Sequence, residues 1–207
     1  MKFITKVLTA VVTTAATTAT GVMTKKWLME KKEDEWTKQQ MTSAERLALP
    51  TLAKQLPTKH AICLKVKNKT NSVLHNPQVY SASGQVTGSV PRVVEPGEYK
   101  CMAAQKTTSY YYKGISGIVT YDIGDTKNRL CIYYYNPYFG NNAFTFQWDN
   151  DSRPVDKDLF EQMSHGSDIW SPKGTVTWHS KANQLYEAYG FISQGDPAYL
   201  HVVVCDK

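Results

Sequence analysis

The sequence predicts a mainly β protein, a two-sheet β-sandwich of about ten strands, on three observations. From Ala61 onward the apolar residues alternate or run in short stretches instead of recurring at helical steps. Turn-forming clusters (NKTN, SASGQ, EPGE, GDTKN, NPYFGNN, SPKG and SQGDP) punctuate those stretches at short intervals. Tyrosine, which suits pleated and half-buried surfaces, occurs 13 times against 6 Phe and 5 Trp.

In chain order the strand candidates are AICLKV, PQVYSA, SVPRVV, EYKCMA, GISGIVTYDI, RLCIYYY, AFTFQW, GTVTWH, QLYEAYGFI and YLHVVVC. One segment breaks the pattern. In residues 155–165, Val155, Leu159, Phe160 and Met163 fall at helical spacing and predict a single helix between late strands. Ahead of the sandwich, Ser43 opens a short helix carrying Leu47, Leu49, Leu52 and Leu56, which Pro50 interrupts and Pro57 ends. Residues 25–42 are charge-dense and read as a helical spacer with Trp27 and Trp36 as its apolar points. The chain therefore divides into an amphipathic N-terminal segment (1–24), a charged helical spacer with a short helix (25–58) and the sandwich (59–207).

The opening segment puts Phe3, Ile4, Val7, Leu8, Val11 and Val12 on one side of a helix and a row of threonines on the other. Two readings compete for it. As an interfacial helix, its apolar side is a membrane-inserting face. As a secretory signal it has a basic start, Lys2 and Lys6, and small residues near Ala19 for cleavage. The expected location is secreted, acting at a target cell membrane, or cytosolic if the segment is not a signal.

Charge and motifs narrow the function classes. The net charge is +6, but ten of the 24 Lys/Arg and only five of the 18 Asp/Glu lie in residues 1–60. The body is balanced, which argues against a nucleic-acid partner. No stretch of 18 apolar residues exists to cross a membrane as a permanent helix. Cys63, Cys101, Cys131 and Cys205 lie far apart in strand-like runs, so buried free thiols are expected rather than a metal cluster, with one disulfide between the first and last strands as the alternative. Asp122 and Asp125 in YDIGD resemble a metal pair, and a turn explains them equally. No nucleophile elbow, zinc-protease motif or phosphate-binding glycine loop is present, and His201 inside the last strand reads as structural. No enzyme activity, cofactor or metal is expected. Two Asn-x-Ser/Thr sequons, at Asn68 and Asn150, are compatible with secretion.

Tyrosine clusters at Tyr110–Tyr112 and Tyr133–Tyr135, the second followed by Pro137, Tyr138 and Phe139. Alternation sends the middle ring of each triplet to the face opposite its neighbours, so each cluster should expose at least one ring. An aromatic turn at a sheet end, NPYFGNN, can meet lipid headgroups, sugars or choline-type cations.

Taken together, NPQVYSASG, VPRVVEPGEYKC, GISGIVTYDI, RLCIYYYNPY and GFISQGDPAYLHVVVCDK resemble the actinoporin family, and the likeness is closer to the vertebrate actinoporin-like proteins than to the sea-anemone toxins. The resemblance spans about residues 59–207. It implies a β-sandwich flanked by two helices, the N-terminal one leaving the body to line a pore. It also implies a monomer in solution that becomes a homo-oligomer on a lipid membrane, opening a cation-permeable pore. In that comparison Ser83 matches the family's headgroup-site serine and Pro137 its turn proline. Tyr135 stands in place of the turn serine, Ser116 at the valine position and Phe160 on the helix that supplies tyrosines. Tyr138, Phe139 and Phe144 are the apolar members of the aromatic loop. These departures put phosphocholine or sphingomyelin specificity in question while leaving membrane docking by aromatic residues. Because fungal fruit-body lectins share the family's fold, the alternative is a lectin-like sandwich that binds glycans or lipid headgroups without opening a pore.

Overall fold

The computed structural model describes residues 42–107, 114–171 and 179–207. Among them are ten strands in two sheets and two helices. Helix α1 (Ser43–Ala53) precedes β1 (Ala61–Lys69), β2 (Leu74–Ser83), β3 (Gln85–Thr87), β4 (Tyr99–Gln105), β5 (Ile115–Ile123), β6 (Asn128–Asn136) and β7 (Ala143–Asn150). Helix α2 (Lys157–Ser164) follows, and then β8 (His179–Ala182), β9 (Tyr186–Ile192) and β10 (Ala198–Asp206). The six-stranded sheet runs β3-β4-β1-β10-β9-β8 and the four-stranded sheet β2-β5-β6-β7. All pairings are antiparallel except β1 with β10.

Alternation decides what each strand gives to the core. Ile62, Leu64 and Val66 of β1, Leu200, Val202 and Val204 of β10, and Val119, Tyr121, Leu130, Ile132, Tyr134, Phe144 and Phe146 from the facing sheet form one buried cluster. Each outer face is then capped by one helix. Leu49 of α1 packs on Cys63 and Ala103 of the six-stranded sheet, and Leu159 and Met163 of α2 pack on Ile118, Cys131 and Tyr133 of the four-stranded sheet. Among the described residues no helix is long and apolar enough to cross a membrane.

Local chemistry fixes the helix starts. Thr42, not Ser43, is the N-cap of α1: its side chain accepts from the Glu45 N–H, and the Glu45 carboxylate accepts from the Thr42 N–H at 2.6 Å. Pro50 does not interrupt α1. The missing N–H removes a single helical bond, and Leu49, Leu52 and Ala53 hold the helix to the sheet across it. Asp156 caps α2 by accepting from the Leu159 N–H at 3.1 Å.

Two strand candidates differ. SVPRVV forms no strand, because Pro91 cannot donate to a ladder; Val94 alone makes an isolated bridge with Leu74. The short β3 lies instead at the edge of the turn cluster SASGQ. Most of GTVTWH, the 1–24 segment and residues 25–41 fall outside the described residues.

The polar expectations sort themselves by burial. All four cysteines are free. The first and last strands do pair, but Cys63 stands opposite Tyr199 and Cys205 opposite Lys69, so no disulfide joins them. Burial pushes the Cys63 and Cys131 thiols up to about 12 and Cys101 up to about 11, so they behave as small apolar groups. Asp122 is engaged by groups of the sandwich itself. It pairs with Arg129, which stands opposite it in β6, through a 2.6 Å bond to Nε, and also accepts from Asn76 at 2.6 Å. The Asn68 sequon is structural: its Nδ2 donates to the Ser72 and Val94 carbonyls at 2.7 and 2.9 Å, and its Oδ1 accepts from the Thr70 N–H. His201 is buried, as a structural histidine would be.

Candidate lipid-facing end of the sandwich

Two cross-strand rows run over the outer face of the four-stranded sheet. In the first, Ser83 of β2 stands opposite Ser116 of β5, which stands opposite Tyr135 of β6. In the second, Tyr80 stands opposite Ile118 and Ile118 opposite Tyr133. Ser83, Ser116 and Tyr135, which the family resemblance groups, stand side by side on this face. Ser83 Oγ donates to the Gly114 carbonyl at 2.6 Å, leaving its own lone pairs free to accept. Ser116 is nearly covered, whereas Tyr135 is 37% exposed.

Phe160 reaches this face from α2. Its ring lies 5.7 Å from Tyr80 and 5.6 Å from Tyr133, centroid to centroid, in tilted contacts. The three rings make an aromatic cluster next to the hydroxyl-bearing row. Burial pushes the Tyr133 hydroxyl up to about 12, so this ring stays uncharged across the physiological range. Such ring faces attract a quaternary ammonium, and the Ser116 and Tyr135 hydroxyls can donate to a phosphate, which Ser83, its proton given to Gly114, cannot. Tyr80 and Tyr133 were not among the residues singled out for this site. The alternation of Tyr133 with Tyr135 was a usable signal, but Tyr80 enters through the β2–β5 register, which a β-bulge between Ser81 and Ser83 shifts.

Two glycines permit the close packing here. A Cβ on Gly114 would lie 2.5 Å from Pro137 Cα, and one on Gly117 would lie 2.5 Å from the Tyr134 hydroxyl. The turn after β6 can thus fold against the start of β5. Pro137 is buried in that turn and shapes it, while Tyr138 and Phe139 project at 44% and 77% exposure. Their rings meet edge-on at 5.1 Å. Tyr138 also lies 5.5 Å from His60, and Lys106 Nζ sits 5.2 Å over its face. His60 Nδ1 is bound to Asp196 at 2.7 Å.

Phe144 requires a correction. It is not a member of the exposed aromatic loop but is 0% exposed, in the main core. It stands opposite Tyr134, the inward ring of its triplet, so alternation turns it inward, where it meets Phe146 edge-on at 5.4 Å. Tyr133 and Tyr134 are buried on opposite faces and Tyr135 is exposed, as alternation requires. Tyr110–Tyr112 and the membrane-inserting face Phe3, Ile4, Val7, Leu8, Val11 and Val12 lie outside the described residues. No group of three or more His, Cys, Asp or Glu among the described residues is arranged to hold a metal ion.

The molecule defined by this fold is a two-sheet sandwich with a helix on each outer face and an aromatic end. No protein-family model matches the sequence, and no curated protein sequence matches it. Among solved structures it is similar to the crystal structure of the lipid-binding protein Nakanori, with a TM-score of 0.67, 11% identity and 84% of each chain covered. A lectin of Xerocomus chrysenteron superposes with a TM-score of 0.40 and 10% identity over 72% of this chain and 99% of the lectin. At such identities the Nakanori likeness establishes the β-sandwich fold.

Proposed function

We propose that the protein is a non-catalytic, membrane-binding sandwich of actinoporin-like type that docks on lipid through its aromatic end and opens a pore with its N-terminal segment. The observation that carries this reading is the projecting Tyr138–Phe139 turn beside the Ser83–Ser116–Tyr135 row and the Tyr80–Tyr133–Phe160 cluster. Exposed aromatic rings seat at the headgroup level of a bilayer. The row and cluster behind them offer a headgroup the donor hydroxyls of Ser116 and Tyr135 and aromatic ring faces. The fold shared with a lipid-binding protein supports the same partner.

The pore step rests on the amphipathic pattern of the opening segment. Helix α1 runs back along β1, with Leu49 on Cys63 and Glu45 bound to Lys65 and Lys67, so the chain ahead of Thr42 leaves the sandwich toward the end of β1 opposite His60 and the docking turn. The 25–42 spacer, up to about 60 Å when extended, lets the opening segment reach the membrane. One such helix cannot shield its threonine face within lipid, so several protomers must assemble. The proposed site of action is the surface of a target cell, reached by secretion.

Vesicle co-sedimentation and dye release test both steps, with phosphatidylcholine, phosphatidylcholine–sphingomyelin and phosphatidylserine-containing liposomes. The full chain should sediment with vesicles and release dye, and the chain lacking residues 1–24 should sediment without releasing it. Release by the shortened chain would move the pore role to α1. Sedimentation without release by the full chain would leave a binding protein that opens no pore, and failure to sediment with any vesicle would end the membrane reading.

A further inference from the structure

Alternation gives the six-stranded sheet an outward set of residues as well as its core set. In β9 and β10, Phe191, His201 and Val203 point away from Ile192, Leu200 and Val202, which belong to the main core. They lie on the outer side of the sandwich, yet they are only 6%, 7% and 1% exposed. Phe191 stands opposite His201 and stacks on its imidazole at 4.5 Å. Val203 stands opposite Tyr189, whose hydroxyl donates to Cys205 Sγ at 3.3 Å. Helix α1 does not account for this burial. The cluster beneath it takes in Cys63, Cys101 and Ala103 of β1 and β4 and, from β10, only Tyr199. Neither Phe191 nor Val203 belongs to any of the three buried clusters of described residues. On the same outer face Ser180 and Ala182 of β8 are exposed, so an outward position in this sheet does not by itself hide a side chain.

The start of α1 lies level with this patch. Lys65 stands opposite His201 and Lys67 opposite Val203, and Glu45, in the first turn of the helix, holds both lysines. β10 and β9 lie one and two strand spacings from β1, so the chain ahead of Thr42 begins about 5–10 Å to the side of Val203 and Phe191. Trp36 stands six residues before Thr42. That separation spans about 9 Å as helix and about 20 Å when extended, so the indole reaches the patch in either form. In residues 30–41 only Trp36 and Met41 are apolar, and the remainder are charged or polar. An indole removes about 150–250 Å² from water when it is buried. Its own charge-dense segment offers it little to pack against, whereas the Phe191–Val203 patch offers a phenyl ring and a branched aliphatic side chain.

We propose that the spacer ahead of α1 docks on the outer face of β9 and β10, with the Trp36 indole seated on Phe191 and Val203. Phe191 lies five residues from Asp196, which holds His60 beside the docking turn. The anchor therefore turns the chain, which leaves α1 at the opposite end of β1, back toward the lipid-facing end. It is a contact made in solution and stands whether or not the protein opens a pore. NMR of the full chain in lipid-free buffer tests it. The Trp36 indole protons should give nuclear Overhauser contacts to the Val203 methyls and the Phe191 ring. Trp36→Ala should remove those contacts, shift the Val203 methyl resonances and leave them open to broadening by a soluble paramagnetic agent. Trp27→Ala, nine residues further from α1, should leave the Trp36 contacts in place. Should Trp36→Ala fail to fold, the wild-type contacts decide the matter. The proposal is overturned if the wild type shows no contact between Trp36 and either residue, or if the Val203 methyls are as well shielded in Trp36→Ala as in the wild type. It is also overturned if isotope-filtered spectra show the contacts to Phe191 to come from a second copy of the chain.

Discussion

His201 shows how much one side chain can govern. Its ring stacks on Phe191 at 4.5 Å and stands opposite Lys65 in the neighbouring strand. Burial, with a smaller push from the Lys65 charge, drives its pKa down to about 3. An unfolded histidine titrates near ~6.5, so the unfolded state takes up a proton that the folded state refuses. The stability this contributes is complete above pH 6.5 and is lost as pH falls from there toward 3. Chemical denaturation at stepped pH should show a shallower acid limb for His201→Leu than for the wild type; an unchanged slope would place the lost stability elsewhere. His179, also lowered by burial, accounts for part of what remains. The Asp122–Arg129 pair behaves differently. Arg129 is almost wholly buried, so Asp122→Asn leaves its guanidinium without a counterion and should cost about 3–5 kcal/mol in urea unfolding. At this scale the sequence was legible where alternation alone decides, as for Tyr134 and Tyr135. It was illegible where a hydrogen-bond or ion-pair partner decides, which is why the Asp122 partner and the sequon's inward-facing Asn68 could not be read; Phe144 was misplaced because the resemblance put it in the loop, although the alternation of β7 turns it inward with Phe146.

The elements carry their own tests. Helix α1 is held by one capping box and one apolar stripe, with the Glu45 carboxylate gripping Lys67 and the Glu45 carbonyl accepting from Lys65 at 3.2 Å. Thr42→Ala should therefore lower stability by about 1 kcal/mol, and Leu49→Ala by about 2–5 kcal/mol, both read from thermal or urea unfolding. The Tyr138–Phe139 turn is the opposite case. Phe139 stands mostly in solvent, so Phe139→Ser should leave unfolding within about 0.5 kcal/mol of wild type. The same variant should lose most vesicle sedimentation, and retained sedimentation would remove the turn from the docking surface. Helical spacing found α2 to within two residues of each end, and the apolar alternation found nearly every strand core. SVPRVV failed because its composition is strand-like while its proline and its position leave it no partner beyond the Leu74 bridge. The Pro50 reading failed because propensity describes an isolated helix, whereas tertiary packing on Cys63 and Ala103 decides this one.

For the molecule as a whole, the class of fold was legible and the strand order was not. Ten short strands with turn signals announce a sandwich, but the β1–β10 pairing joins residues 62–69 to 198–205, and no local pattern encodes that register. The candidate site was readable to the extent that it follows the chain, through Tyr135, Pro137, Tyr138 and Phe139. Its lateral members, Tyr80 and Tyr133, come together only when the sheet forms. Since β10 lies between β1 and β9, removing residues 198–207 should abolish the cooperative unfolding transition and the near-ultraviolet dichroism of the buried tyrosines. A cooperative transition in the shortened chain would show that the two halves of the six-stranded sheet fold independently.

That central place of β10 also sets an order of events in biosynthesis. A nascent chain that has emerged through β9 has its six-stranded sheet split in two, with β1 and β9 each lacking the neighbour that lies between them. The sandwich closes only after translation has delivered β10. Every element from α1 to β9 is therefore synthesised before the strand that joins the two halves of that sheet is available.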